Sequence, residues 1–568
     1  MKRLLQLKYG WIYLLAGLLA INFIASVWHE RADLTAEKRF TLSPATRNLL
    51  KGLRDNVKIT VFMEGNLPAG FRKLSNSAQG MLEEFREISD NKIQFTFRNP
   101  VKGLGDSAKA AMADSLSRMG INPTNVKAQA KEGEGEEQRL VFPGALLEYK
   151  DRILGVDFLQ GQSAIDGINS LNNAEALLEY KFAGSIVKII QDSVPVIGYL
   201  EGNGEPLNFE VYDLIQKNLK QNYGFGIIPI DSVRTIPSAF GALLIVKPIK
   251  GFSENQKLKI DQYIMHGGRV LWFIDNLYAS LDSLQRSQGD FIAFDMGLNL
   301  GDQLFKYGVR INQDLVQDLN CTQIPSVIGM VGDKPQIQLL PWPYFPLLAS
   351  PNDNPISKNL DYVLSQFPQS IDTVKASGIR KTILLASSRE SRILPAPAKV
   401  EWNSVRSEED LKTFDKQGIP IAVLLEGKFN SLFANRISSS LADTLARVYG
   451  KPFLASSEKE GKMIVVSDAD IVTNSVSQDK GPLAMGQNAY TMYQYANRDF
   501  LLNALEYMVG NPGILETRSK NYALRLLDKK KLDSGRTSWQ FINILLPSII
   551  IILLTLIYGW ARKKKYHG

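Results

Sequence analysis

The chain has one cysteine, Cys321, and three histidines, His29, His266 and His567, among 568 residues. A lone thiol excludes an intramolecular disulfide and any zinc cluster built on cysteine. Three scattered imidazoles supply histidine-based zinc chemistry poorly. No G-x-x-x-x-G-K-[ST] loop occurs, so the chain does not hydrolyse a nucleotide through a P-loop. No Lys/Arg stripe with interleaved aromatics crosses the middle, which argues against nucleic-acid binding. Nor is the net charge of +8 a property of the middle. Lys2, Arg3 and Lys8 carry +3 at one end and Arg562, Lys563, Lys564 and Lys565 carry +4 at the other, leaving +1 for everything between. The expectation is no cofactor, no metal site and no nucleic-acid partner.

What the ends do contain is apolar length. Residues 11–28 read WIYLLAGLLAINFIASVW. With Tyr9 and Gly10 this makes about 20 residues, enough to cross roughly 30 Å of hydrocarbon as a helix. Residues 539–560 read WQFINILLPSIIIILLTLIYGW, with Pro547 inside. Trp11, Trp28, Trp539 and Trp560 bracket the two runs at the level where amphipathic rings favour headgroups, and Arg562 and Lys563 open the basic tail. Ala25-Ser26-Val27-Trp28 is a poor cleavage site, so the first run reads as a retained helix rather than a signal peptide. The charge rule then puts both termini in the cytoplasm and the large middle outside. Lys529, Lys530, Lys531 and Arg536, just before the second run, pull the other way.

Between the ends, short apolar strands alternate with amphipathic helices. Ser43-Pro44 reads as a helix start. Strand patterns at 57–62 and 93–97 flank a helix at 74–88, a βαβ unit. Residues 127–139 are polar and Gly/Glu-rich, a hairpin tip or loop. After a helix at 172–190, the apolar run 194–200 suits a strand buried on both faces, 270–275 reads as another buried strand, and 242–246, 382–386, 421–426 and 462–468 read as further strands. Helices are expected at 211–219, 253–266, 301–308 and 498–508, a strand at 309–316, and a rigid loop at the proline-rich PWPYFP of 341–346. The fold class expected is α/β: a large external region of mostly parallel, doubly wound sheets, a smaller N-terminal α/β domain, and one transmembrane helix at each end. The expected organisation is a cytoplasmic tail (1–8), a transmembrane helix (9–28), the small α/β domain (29–160), a connecting helical segment (161–192), the central α/β domain (193–510), a juxtamembrane linker (511–538), a second transmembrane helix (539–560) and a basic tail (561–568).

Candidate chemistry is sparse. Gly202-Asn203-Gly204-Glu205 follows a buried strand, where backbone amides can receive an anion ahead of the next helix. A tight polar turn without a ligand is the simpler reading. Asp275 and Asp468 end strands where active sites lie in α/β sheets, and capping of the next turn explains them as well. His266 stands in the last turn of its helix, beside Gly267-Gly268. No catalytic triad is legible.

The whole chain resembles the GldG family, membrane-anchored auxiliary subunits of the gliding-motility ABC transporter of Bacteroidetes. The residues that carry the resemblance are RADLTAEKRFTLSPAT (31–46), VKITVF (57–62), GYLEGNGE (198–205) and the terminal helix with its basic tail. The resemblance implies an ABC-2-type permease and a separate ATPase as partners, contacts with motility machinery, a bulk in the periplasm of a two-pass inner-membrane protein, and no enzymatic activity. It implies a central domain similar to class I glutamine-amidotransferase-like and flavodoxin-like folds. Related families often show Gly-His-Gly-Glu where this chain has Gly202-Asn203-Gly204-Glu205, and Cys321 has no histidine partner in sequence. A membrane-tethered amidotransferase-like or hydrolase-like enzyme and a periplasmic ligand sensor stand as alternatives.

Overall fold

The computed structural model describes residues 15–19, 22, 41–517 and 529–566, with short breaks at 130–135, 160–166, 192–193, 288–289, 333, 359, 403–404, 406, 438–439, 441, 444–445, 448–449, 511 and 516. It divides into two units, Met1–Asn521 and Tyr522–Gly568.

In the first unit, Ser43 accepts from the Thr46 N–H at 3.1 Å and Pro44 opens the helix Pro44–Lys51. The strand Val57–Val61 pairs parallel with Ile93–Phe97 across the helix Ala69–Ile88, as a βαβ unit requires. Its other edge pairs antiparallel with Gly144–Tyr149, which continues antiparallel to Arg152–Asp157. The strands Thr124–Gln129 and Glu136–Val141 form a separate hairpin around residues 130–135. The expected helix at 172–190 is two, Gly167–Ala176 and Leu178–Ile190, with the interruption at Leu177. The second of these packs Phe182, Ala183 and Ile186 into the same core as Phe85 and Leu147.

The central sheet has seven strands in the spatial order Ile379–Ala386, Pro420–Gly427, Gly461–Val466, Val270–Phe273, Phe240–Val246, Val196–Glu201, Gly224–Pro229. The last five run parallel to one another, and the first two are antiparallel additions. Alternation sorts the side chains between two cores. Tyr199, Leu244, Phe273 and Val466 face the helix Asn497–Val509, whereas Leu200, Ile245, Trp272 and Val465 face the helix Glu254–Met265. Burial on both faces is why these strands read as continuous apolar runs. The helix Glu254–Met265 is set by a capping box between Ser253 and Gln256.

Mostly parallel sheets are not what the chain as a whole forms. Of seventeen strand pairings among the described residues, twelve are antiparallel. The excess comes largely from residues 277–401, an insert that, apart from the central-sheet strand Ile379–Ala386, holds short antiparallel sheets, several of them around a core of Trp342, Tyr344, Phe345 and Phe367. Turns between its strands are often only a few residues long, as at Gly332, and cannot make a parallel crossover. The expected rigid loop at 341–346 lies inside the strand Lys334–Leu348, which pairs with Cys321–Val331. Prolines are tolerated there because the ribbon has open edges and needs no outward N–H. The expected strand at 309–316 is two, Val309–Ile311 and Asp314–Asp318, paired to different partners. The expected α-helix at 211–219 opens as a 3-10 turn and continues as the π-helix Asp213–Leu219, with Asn218 Nδ2 donating to the Asp213 carbonyl at 2.8 Å.

The second unit carries the helix Lys529–Tyr566. Its stretch Phe541–Lys564, with mean hydropathy 2.5 over its most apolar window, is the one helix among the described residues long and apolar enough to cross a membrane. A spanning helix at each end is therefore corrected to one candidate span. The run at 9–28, with Trp11 and Trp28, lies largely outside the described residues.

Candidate functional site

Four parallel strands end on one edge of the central sheet, and each delivers polar groups there. Val196–Glu201 leads into residues 202–205, Phe240–Val246 into Lys247, Val270–Phe273 into Asp275, and Gly461–Val466 into Asp468 and Asp470. After Val196–Glu201 the chain adds its next strand on one side, then crosses to add Phe240–Val246 on the other. Ligands of open sheets settle outside the carboxyl ends of strands beside such a reversal.

At the reversal stands the glycine turn. Gly202 has φ +150° and Gly204 φ +85°. A Cβ on Gly204 would stand 2.5 Å from Ile249 Cγ1, so both conformation and space call for glycine. The amides do receive an anion, and it is the chain's own. Gly202 N–H and Asn203 N–H donate to Glu205 Oε2 at 3.0 and 2.8 Å. Asn203 donates from Nδ2 to the Gly251 carbonyl and Gln256 Oε1, both at 3.2 Å. Its own carbonyl accepts from the Ile249 and Lys250 N–H groups at 2.9 Å. Glu205 is buried, and burial raises its carboxyl pKa while the backbone N–H groups pull it back. Asn203 Oδ1 and Glu205 Oε1 are buried without a hydrogen-bond partner.

Farther along the edge, Asp275 and Asp468 come together with two residues that strand-end reasoning had not singled out, Lys247 and Asp470. Lys247 Nζ pairs with Asp470 and stands 3.8 Å from Asp275 Oδ2. Asp275 Oδ1 accepts from the Ala469 N–H at 2.7 Å. Asp468 caps the short turn Ala469–Ile471 by accepting from the Asp470 N–H at 2.7 Å. Its other oxygen accepts from the Gln366 N–H at 2.7 Å and from the Ser365 hydroxyl, tying the edge to the insert. Burial pushes Asp275 up to about 6 despite Lys247, with Asp470 adding to the rise. Burial, then Asp470 and Asp275, raises Asp468 as well. Burial disfavours the Lys247 ammonium, but Asp470 and Asp275 outweigh it and its pKa rises. Lys247 adopts φ +48°, a left-handed conformation uncommon for a side chain of this length. The signal for Lys247 was its place, directly after an apolar strand. For Asp470 it was the spacing in Ser467-Asp468-Ala469-Asp470.

This edge holds a cation that is covalently part of the chain. Among the described residues no group of three or more His, Cys, Asp or Glu is arranged to take a metal. Among the described residues, the Ser365 hydroxyl meets these carboxylates by donating to Asp468 and has no histidine beside it. Cys321 opens a strand of the insert, and burial, followed by Asp318, pushes its thiol up to about 12. His266 caps the far end of the helix Glu254–Met265, which leads into the amino end of Val270–Phe273, the opposite edge of the sheet. Its Nε2 donates to the Pro452 carbonyl at 3.0 Å, and burial lowers its pKa. A cysteine–histidine pair is thus not assembled. His29 and His567 lie outside the described residues. Next to Asp275, Asn276 lines an open cleft of about 880 Å³ together with Asp295, Lys306, Arg310 and Arg436. On the terminal helix, Trp560, Arg562 and Lys563 are exposed, and Trp539 lies in the same helix.

A sequence-family model described as an ABC-type uncharacterized transport system matches residues 194–504, the whole central sheet with its insert. The chain belongs to this family. A second match, to a domain of unknown function, covers residues 36–148. An uncharacterized protein of Borreliella burgdorferi is 20% identical over 434 residues, covering 73% of this chain and 76% of that protein. Among solved structures, the mmIFT52 N-terminal domain matches with 11% identity, 56% of this chain, 98% of that one and a TM-score of 0.30. The exo-beta-1,4-mannosidase Op5Man5 from Opitutaceae bacterium strain TAV5 matches with 11% identity, 70% of this chain, 45% of that one and a TM-score of 0.19. Likenesses that slight carry no argument. Family membership associates the chain with ABC-type transport and with the permease and ATPase components of such systems.

Proposed function

We propose that the chain is a non-catalytic auxiliary subunit of an ABC-type transporter, anchored by its terminal helix. It works beside an ABC-2-type permease and a separate ATPase and couples an extracytoplasmic domain to them. The resemblance at residues 31–46 and 198–205 supports a place in the gliding-motility branch typified by Bacteroidetes. The basic residues Arg562–Lys565 favour a cytoplasmic end for the terminal helix, which puts the folded unit in the periplasm. The N-terminal α/β domain of 29–160 and the central domain of 193–510 act as separate modules joined by the segment 161–192.

The observation that carries the non-catalytic reading is the closed carboxyl edge within the family-matched residues. There Glu205 fills the amide nest, and Lys247 pairs with Asp470 and stands beside Asp275. A site with its anion and cation both built in has no vacancy for reacting groups. The test is affinity purification of the full chain from its own membranes in mild detergent, followed by mass spectrometry. Recovery of a permease with an ATPase is expected, and recovery of the chain alone sinks the assignment. The cleft beside Asn276 favours a second reading, a periplasmic ligand sensor, because its volume of about 880 Å³ suits a small ligand. A small-molecule screen read by thermal shift separates the two, with binding lost in Lys306→Glu expected of a sensor.

A further inference from the structure

The strands Cys321–Val331 and Lys334–Leu348 project from the insert as a ribbon with both edges open beyond residue 341. Their register sorts the side chains by face. Val327 pairs with Ile337, Pro325 with Leu339 and, after a bulge at Ile328, Met330 with Pro335. Paired residues share a face, so these six form one apolar surface. Ser326 pairs with Gln338 and Gly329 with Gln336, which makes the opposite face polar toward the turn, with the pair Ile324 and Leu340 nearer the base. Val327, Met330 and Ile337 are 64%, 63% and 62% exposed, and Leu339 is exposed too. Neither strand carries a charge except at the Lys334 end of the turn. An amphipathic ribbon with its apolar side in water needs a partner.

We propose that this apolar face lies against the lipid surface of the bilayer that holds the chain's own terminal helix. The proposal rests on the anchoring reading above. Three observations select lipid. The tether is short: the eleven residues 518–528 separate Thr517 from the helix Lys529–Tyr566. Fully extended they reach at most about 40 Å, and the twelve helical residues before Phe541 add about 18 Å. Pro325, Pro335 and Pro341 place nitrogens without hydrogens along the ribbon's edges. That blocks addition of another strand and removes donors that an apolar medium would leave unsatisfied. Finally, six side chains fall well short of the roughly 20–30 residues a side of a stable protein interface, which disfavours a second copy. Lipid needs no matched partner surface. With no basic residue on the face, the contact is driven by apolar burial and is insensitive to salt and to lipid charge.

The experiment uses the full chain in neutral phosphatidylcholine vesicles. Single cysteines at Ile337→Cys, Gln338→Cys and Leu553→Cys, on a Cys321→Ser background, carry an environment-sensitive fluorophore. Should Cys321→Ser fail to fold, the native thiol stays, since it is half-buried and its raised pKa makes it slow to label. The label at 553 reports the anchor and is expected to be quenched by doxyl groups on the acyl chains. The label at 337 is expected to be quenched by doxyl groups near the headgroup, to be shielded from aqueous iodide, and to be unchanged by high salt. The label at 338 stays open to iodide. Val327→Lys is expected to return the 337 label to water without changing the far-ultraviolet circular dichroism. Quenching at 553 with an iodide-accessible 337 overturns the hairpin proposal alone. Protection at 337 without lipid quenching assigns the face to a second copy and overturns it equally. Loss of quenching at 553 removes the anchor and the proposal with it.

Discussion

The carboxyl edge of the central sheet and the hairpin of the insert stand in contrast. The edge is rich in charge and closed, because Glu205 meets the amides of Gly202 and Asn203 and Lys247 meets Asp470 and Asp275. The hairpin has almost no charge and is open, with Val327, Met330 and Ile337 in water. In an α/β sheet the first surface is where chemistry is expected and the second is an embellishment. Here the roles exchange. The place that fold logic marks for a ligand supplies its own anion and cation, and the uncovered apolar surface is the one grown from the insert. Function exercised through contact fits that exchange.

The contrast yields effects of very different size. The largest falls on the insert's core, where the buried Trp342 packs against Phe345, Phe367 and Trp402. Trp342→Ala is expected to cost about 3–5 kcal/mol, read as a lower denaturation midpoint. It also strips the hairpin of its base. Retention of full stability would mean that the insert does not depend on this core.

Next comes the edge cation. Lys247→Met leaves the buried carboxylates of Asp275 and Asp470 without their partner, and a loss of about 3 kcal/mol at neutral pH is expected by urea titration. The associated pH dependence has a definite sign. Asp275 rises from its ordinary 3.8 to about 6 in the folded chain. Protonation therefore favours the folded state. The stability it contributes is full below about 4 and is lost as pH rises through about 6. Asp275→Asn is expected to flatten the stability profile across that window while still accepting from the Ala469 N–H. An unchanged slope would show that the carboxylate stays charged throughout.

Smaller again is the glycine turn. Glu205→Ala orphans the buried Asn203 N–H and removes the partner of the more exposed Gly202 N–H, for an expected cost of about 1–3 kcal/mol. A gain in affinity for inorganic phosphate in that variant, measured by calorimetry, would show that the nest can accept an outside anion once its own is gone. The smallest effect is on the exposed ribbon. Val327→Lys is expected to shift folding stability by less than about 0.5 kcal/mol. A larger loss would mean that the face is covered within the folded chain.

Legibility in sequence followed burial and locality. The central strands stood out as apolar runs because both of their faces are covered, as at Leu243, Leu244 and Ile245. The Ser43-Pro44 start and the Ser253 cap depend on neighbours three residues away, so they too could be read. The antiparallel insert could not, because pairing between Cys321–Val331 and Lys334–Leu348 is a tertiary fact and its prolines imitate a loop. At the candidate site, Asp275 and Asp468 were visible as strand ends, but their meeting depends on Val270–Phe273 lying beside Gly461–Val466, nearly two hundred residues later. The glycine turn was legible as an anion nest. That Glu205 would fill it depends on the fold of Gly202 and Gly204 into positive φ.

The central claim is that the edge is closed and the chain acts by contact. It is tested most directly by ATP turnover in vesicles holding the chain with its permease and ATPase, comparing wild type, Asp275→Asn and a sample without the chain. The expected result is that Asp275→Asn matches wild type, while omission of the chain changes the rate. Turnover with Asp275→Asn that falls to the level seen without the chain would contradict the account, because it would place the working chemistry at the edge.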